Sequence, residues 1–310
     1  MYKWEEGLSI IIPCHNESGS IPELVKEIEN SMAINKDIAV EVIWVDDASN
    51  DESFQIFRSL RPPHRCLKNP VRIGQSHSIQ KAFENSKYKF IGIIDGDGQN
   101  SPTDLFEMLH ILKHDTHLDF IQGIRAGRKD RFFSRKFPSY VANRMARLML
   151  KTKIQDMGCA TKVVRRHVID EIPFSGEIHR IYPVHAEITG FNIKQIPVTH
   201  RERKYGYTKY GLNRILKFFI DILFARFRFA VATKPTYVFG GLSLFFFSTS
   251  VTMFLVAITL RVLNIKDYLD GALVIGGIVV FMAAVFTAFQ AVVVEIILNN
   301  KSHLSQREDH

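Results

Sequence analysis

Residues Phe90–Pro102 read FIGIIDGDGQNSP, an apolar run that ends abruptly in two carboxylates among glycines. Phe90–Ile94 has the length and β-branched content of a buried strand, and the stretch from Asp95 has the composition of a loop. The same pattern occurs twice upstream. Leu8–Ile12 is a short apolar run closed by Pro13, and Val40–Val45 is a second one closed by Asp46–Asp47. Between them, Leu24, Val25, Ile28 and Met32 fall at helical spacing behind Ser20–Ile–Pro–Glu23, which reads as a capping box. Helices are predicted over Glu52–Leu60, Gly74–Asn85 and Leu105–Leu112, with a further strand at Leu118–Gln122. Strands alternating with helices predict a right-handed, mostly parallel α/β sheet. In such sheets ligands bind beyond the carboxyl ends of the strands. Asn16–Glu17, Asp46–Asp47 and Asp95–Gly–Asp97 all fall at that edge.

The chain has 310 residues, enough for one sizeable core with attachments. Its 46% hydrophobic and 23% charged content excludes wholesale disorder. A net charge of +8 calls for an anionic partner, and the basic residues concentrate in Arg125–Lys153 and Arg201–Arg228. The second stretch runs directly into an apolar region, which favours membrane phosphate over nucleic acid, and no nucleic-acid-binding signature is present. Cys14, Cys66 and Cys159 are odd in number and far apart, so neither a disulfide framework nor a zinc site is implied. The opening MYKWEEGLSIII lacks a basic n-region and its apolar run stops at Pro13, unlike a secretory leader.

Beyond residue 130 the pattern loosens. Helices are expected over Phe137–Leu150 and Glu177–Thr189, and a strand over Phe191–Val198. Gly211–Ala232 mixes aromatic and basic residues in the manner of a membrane-interface helix. Tyr237–Leu260 and Gly271–Val294 carry no charge, and each exceeds the ~20 residues that span a bilayer core. The short link Arg261–Asp270 makes them a hairpin with both ends on one side; flanking Lys234, Lys301 and Arg307 mark that side as cytoplasmic. Glu295 closes the second span as an interfacial residue. The expected organisation is a catalytic domain over 1–205, interface helices over 206–234, two transmembrane helices over 235–298 and a cytoplasmic tail over 299–310. Such a chain would be a multi-pass protein of the cytoplasmic membrane, its catalytic domain on the cytoplasmic side.

Asp95, Asp97 and Gln99 place two carboxylates and an amide oxygen on one loop, a hard-oxygen set suited to Mg²⁺ or Mn²⁺ with a substrate diphosphate. A bound cation there would neutralise charge building on a nucleoside-diphosphate leaving group. The bland alternative is an acidic turn that satisfies its own backbone. In Asp46–Asp47–Ala–Ser49–Asn–Asp51, ligand binding is assigned to Asp47 and the cap of the next helix to Ser49 or Asp51.

The runs IIPCHNE, VDDASND, NPVRIGQS, DGDGQNSP and DMGCATKVVRR together resemble the polyprenyl-phosphate branch of the family-2 glycosyltransferases, over roughly Leu8–Asn213. That branch includes dolichol-phosphate mannose synthases and bacterial undecaprenyl-phosphate sugar transferases, and the two-helix tail is similar to that of the bacterial members. The resemblance implies a Rossmann-like GT-A domain, a divalent metal, inversion at the anomeric carbon, and the capacity to form homo-oligomers. By position it implies that Pro13, Asn16, Glu17 and Asp47 line the nucleoside site, with Arg72 and Gly74–Gln75 near the nucleotide. Asp95, Asp97 and Gln99 would hold metal and diphosphate, and Asp156 would face the acceptor as the proposed base. Arg201, Arg203 and Lys209 match basic residues that gather phosphates; Arg180 could face the acceptor phosphate too, or simply end a packed helix. Cys14–His15 and His77 depart from the usual pattern and read as packing variants.

A phosphate monoester has a second pKa near ~6, so a polyprenyl phosphate is already largely dianionic at neutral pH. It needs little general-base help, and orientation by Asp156 outweighs proton removal. The expected function is therefore transfer of a sugar, UDP-linked by resemblance to the bacterial members, from a nucleotide sugar to a polyprenyl phosphate. Transfer to another membrane lipid, and a non-catalytic scaffold that binds sugar nucleotides, are the alternatives. Arg125–Lys136 with Phe132–Phe133 reads as a solvated loop or as a lid over the lipid headgroup.

Overall fold

A computed structural model describes residues 4–126, 147, 152–174, 178–202, 223–224, 226–227, 230–231, 234–263 and 269–308. The chain divides into two compact units, Met1–Ile222 and Leu223–His310.

The first unit is built on a seven-stranded sheet: β1 (Glu5–Cys14), β2 (Val40–Asp46), β3 (His64–Lys68), β4 (Tyr88–Ile93), β5 (Phe120–Ala126), β6 (Lys162–Arg165) and β7 (Ile193–Thr199). Their spatial order is β3-β2-β1-β4-β6-β5-β7. β1 pairs in parallel with β2 and β4, and β2 with β3. β6 lies antiparallel between β4 and β5, and β5 is parallel to β7. All strands but β6 therefore point the same way. β6 starts where its neighbours end, so Lys162 faces Ile93 in the register.

Strand β1 is buried on both faces, as an interior parallel strand requires. Leu8, Ile10 and Ile12 share one core with α1 (Ile21–Ile34), α2 (Ser53–Ser59) and α4 (Thr103–His114). Ile11, Ile43, Val45 and Ile93 share the opposite core with α3 (Gln75–Glu84), α5 (Arg166–Glu171) and α6 (Tyr182–Thr189). Alternate side chains of one strand thus hold a helical layer on each face. Trp44 is fully buried, stacks on Phe57 at 4.9 Å and donates its Nε1–H to His64 Nδ1 at 3.1 Å.

Several expectations are corrected. Strands β3 and β6 lie where no strand is expected. HRCLK alternates poorly and sits at the sheet edge, and KVVR has only two apolar residues. The single helix expected over Glu177–Thr189 is a 3₁₀ turn, Ile178–Arg180, followed by α6, which starts next to Pro183. The capping box at Ser20 does not form, because the Ser20 side chain makes no cap bond to α1. Ser49 does not cap α2; its hydroxyl accepts from Asn16 N, while Asp51 accepts from Ser53 N at the start of α2. The helix expected over Phe137–Leu150, apart from helical Arg147, and most of the interface helix at Gly211–Ala232, lie outside the described residues.

In the second unit, α7 (Pro235–Val262) and α8 (Leu269–Glu308) contain segments of 28 and 27 residues long and apolar enough to cross a membrane. At ~1.5 Å per residue, α7 is about 42 Å long, against a hydrocarbon core of ~30 Å. Ser243 Oγ donates to Ala284 O and Ser250 Oγ to Gly277 O, so the two helices run antiparallel. Thr236 hydrogen-bonds Glu295, which gives that carboxylate a partner at the end of its span.

Candidate active site

The ends of β1, β2, β4, β5 and β7 and the start of β6 converge on one edge of the sheet. Asp95 and Asp97 follow β4 in a loop pressed against β1. A Cβ on Gly96 would lie 2.2 Å from Cys14 Sγ, so only glycine fits between the two carboxylates. Gly98 has φ of +71°, a left-handed conformation that turns the chain back towards Gln99. The Ser20 hydroxyl lies 2.6 Å from Gly96 O and 2.9 Å from Glu17 O, its proton shared between them. Ser20 is thus committed to the acidic loop, which explains why it does not cap α1.

Asp95 accepts from Gln75 Nε2 at 2.7 Å. Burial, and then the Asp97 carboxylate beside it, push the Asp95 pKa up to about 6, against the opposing pull of Lys162, Gln75 and Arg125. Asp97 accepts from Gln99 N at 3.1 Å. Gln99 gives Nε2 to Arg201 O at 3.1 Å, so its Oε1 is the atom that could meet a cation. Among the described residues no group of three or more His, Cys, Asp or Glu side chains gathers as a metal site. Two neighbouring carboxylates on one loop, with one amide oxygen, nevertheless fit a hard cation that keeps waters and takes further ligands from a diphosphate.

Asp156 is 8% exposed and is held by Arg125. Arg125 Nε and Nη2 donate to Asp156 Oδ2 and Oδ1 at 2.8 and 2.7 Å, and Gly158 N donates to Oδ1 at 3.1 Å. Burial alone would raise the Asp156 pKa, but these bonds and the Arg125 charge hold it below the ordinary carboxylate range. A carboxylate so stabilised is a poor proton acceptor. The two-pronged bond to Arg125 suits the orienting role expected of Asp156.

Asp47, expected beside the nucleoside, spends its carboxylate on the chain itself. Oδ1 accepts from Asn69 Nδ2 and Ile73 N, and Oδ2 from Gly74 N, at 2.9–3.0 Å. It fixes the loop that carries exposed Arg72 between exposed Val71 and Ile73. Pro13 is buried at the end of β1 beside Val45. Asn16 takes φ of +59°, and its Oδ1 accepts from Asn50 N at 2.8 Å; Glu17 N donates to Ser53 Oγ. Arg201, expected to gather phosphate, pairs its guanidinium with Glu27 of α1. Arg203, Lys209 and the Phe132–Phe133 segment lie outside the described residues.

Three contributors were not singled out from sequence. In the sequence Arg125 opens a basic stretch, and nothing there ties it to Asp156. Ser76, the second residue of α3, binds His179, with Oγ 3.0 Å from Nδ1 and 3.2 Å from the backbone N. Lys162, 3% exposed, donates to His179 O at 3.3 Å and faces Asp95 and Asp156 through the local field. Burial pushes its pKa down to about 8. A lone Lys in a four-residue strand carries no sequence signal that would mark it.

Residues 9–173, just over half the chain, match Glycosyl transferase family 2. The chain belongs to this family. Within family 2, the dodecaprenyl-phosphate galacturonate synthase of Rhizobium johnstonii (strain DSM 114642 / LMG 32736 / 3841) is 31% identical over 243 residues, covering 76% of this chain and 71% of that protein. The undecaprenyl-phosphate 4-deoxy-4-formamido-L-arabinose transferase of Enterobacter sp. (strain 638) is 29% identical, covering 70% and 66% respectively. Mannosyl-3-phosphoglycerate synthase from Rubrobacter xylanophilus superposes with a TM-score of 0.58 at 14% identity, over 72% of this chain and 74% of that one. Glucosyl-3-phosphoglycerate synthase from Mycobacterium tuberculosis, in complex with Mn²⁺, UDP-glucose and phosphoglyceric acid, superposes with a TM-score of 0.52 at 18% identity, over 71% and 79%. These likenesses establish the GT-A arrangement of the first unit.

Proposed function

We propose that this glycosyltransferase moves a sugar from a UDP-linked donor to a polyprenyl phosphate at the cytoplasmic face of a membrane, with inversion at the anomeric carbon. The reading is carried chiefly by the 31% identity, over 76% of the chain, to a dodecaprenyl-phosphate galacturonate synthase. It is supported by two helices of membrane-crossing length following the catalytic unit, which suit a lipid-borne acceptor.

Asp95 and Asp97, with Gln99 Oε1, would hold Mg²⁺ or Mn²⁺. The cation would supply charge neutralisation for the departing nucleoside diphosphate. Asp47 keeps the Arg72 loop in place, which offers a guanidinium to the nucleotide. Asp156 and Arg125 act as a unit on the acceptor side, where the carboxylate fixes the guanidinium rather than taking a proton. A dianionic phosphate needs only to be placed in line with the anomeric carbon.

The test is incubation of the purified full-length protein with radiolabelled UDP- and GDP-sugars, undecaprenyl phosphate and either Mg²⁺, Mn²⁺ or a chelator. A labelled lipid from one UDP-sugar, absent with chelator, is the expected result. Label from GDP-mannose alone would overturn the nucleotide assignment, and full activity in chelator would overturn the metal assignment.

A further inference from the structure

The first two side chains of α3 divide between two parts of the site. Gln75 donates to Asp95 on the acidic loop, and Ser76 holds His179 in the 3₁₀ turn. We propose that Ser76 is a positioning residue for the acceptor phosphate, acting through His179 to set the turn Ile178–Arg180. This deepens the acceptor reading given above and rests on it.

The turn is held at three points on one residue. His179 N donates to Ser76 Oγ, its Nδ1 pairs with the same oxygen, and its carbonyl accepts from Lys162 Nζ. A hydroxyl that accepts the backbone N–H keeps its own proton for Nδ1, so both bonds form together. Ser76 and Lys162 are 2% and 3% exposed, so both anchors are rigid parts of the core. The next residue after His179 is Arg180, a cation whose backbone position is thereby fixed. Ser76 is itself fixed from the donor side, because Asp47 holds Ile73 N and Gly74 N immediately before α3. The same short segment therefore orders the Arg72 loop and, through His179, the turn that carries Arg180.

The test is steady-state kinetics of full-length Ser76→Ala, with undecaprenyl phosphate and donor varied separately. Loss of about one hydrogen bond predicts an acceptor KM raised about three- to tenfold, with the donor KM within about twofold. His179→Ala, which keeps the backbone bonds of the turn, is expected to give the same split and decides the matter if Ser76→Ala does not fold. An unchanged acceptor KM, or equal rises in both constants, would overturn the proposal. Absence of transfer to undecaprenyl phosphate by the unsubstituted enzyme would instead overturn the acceptor reading, and this proposal with it.

Discussion

Arg125 and Asp156 are joined by two parallel side-chain hydrogen bonds of 2.8 and 2.7 Å, and the Arg125 backbone N–H adds a third at 3.2 Å to the same carboxylate. The pair links the end of β5 to the loop before β6, across the edge where the acidic loop sits. Such two-pronged pairs fix direction as well as charge.

Asp156→Asn keeps the shape but removes the charge that fixes Arg125. Turnover is expected to fall by about a hundredfold or more, as when a positioning group is lost from an oriented site. The pH profile should keep its shape, because a carboxylate held below its usual pKa stays ionised through the working range. A profile that loses an ionisation step in the variant would restore Asp156 as a base.

Gly158 is adjacent to this pair, and a Cβ placed there would lie 2.6 Å from Arg125 Nη2. The clash falls on the tip of a flexible side chain, so Gly158→Ala should fold with nearly unchanged melting temperature. It should nevertheless push Arg125 off Asp156 and lower activity about tenfold or more. Unchanged activity would mean that the pairing is incidental.

The acidic loop predicts a pH dependence for cation binding. With Asp95 pushed up to about 6, its carboxyl binds a proton increasingly as pH falls through that value. A cation must displace that proton, so Mn²⁺ affinity, measured by titration of the free-ion electron paramagnetic resonance signal, should be flat above pH 7. It should then fall by up to about tenfold per pH unit below 6. An affinity flat down to pH 5 would contradict the assignment.

Ser20→Ala separates the capping role that its sequence context implies from the clamp that it forms. Loss of a buried hydroxyl bonded to Gly96 O is expected to cost about 1 kcal/mol of stability. It should also weaken Mn²⁺ binding several-fold, because the loop carrying Asp95 and Asp97 is released. A melting shift without any change in cation affinity would place Ser20 in the scaffold alone.

Much of this was legible in the sequence. Strands β1, β2 and β4 are continuous apolar runs closed by Pro or Asp, so both their burial and the polar edge could be read from spacing. The side chains at that edge were harder to assign, because residue type does not reveal which partner claims a polar group. Nothing in the residue types of Asp47 and Arg201 reveals that one is bonded to its own loop and the other to Glu27. Ser20 opens a capping pattern, yet its hydroxyl goes to a carbonyl 76 residues away. Strand β6 escaped because its identity comes from the two strands flanking it, and the role of Lys162 follows from that placement.

The acceptor distinguishes a polyprenyl-phosphate transferase from a transferase acting on neutral lipids. Purified protein in lipid nanodiscs should be offered its UDP-sugar donor with undecaprenyl phosphate, diacylglycerol or ceramide, and the lipid products identified by mass spectrometry. A sugar-phosphate-undecaprenyl product is expected and none from the neutral lipids, with an Asp97→Ala control inactive. A glycosylated diacylglycerol or ceramide, with undecaprenyl phosphate unmodified, would contradict it.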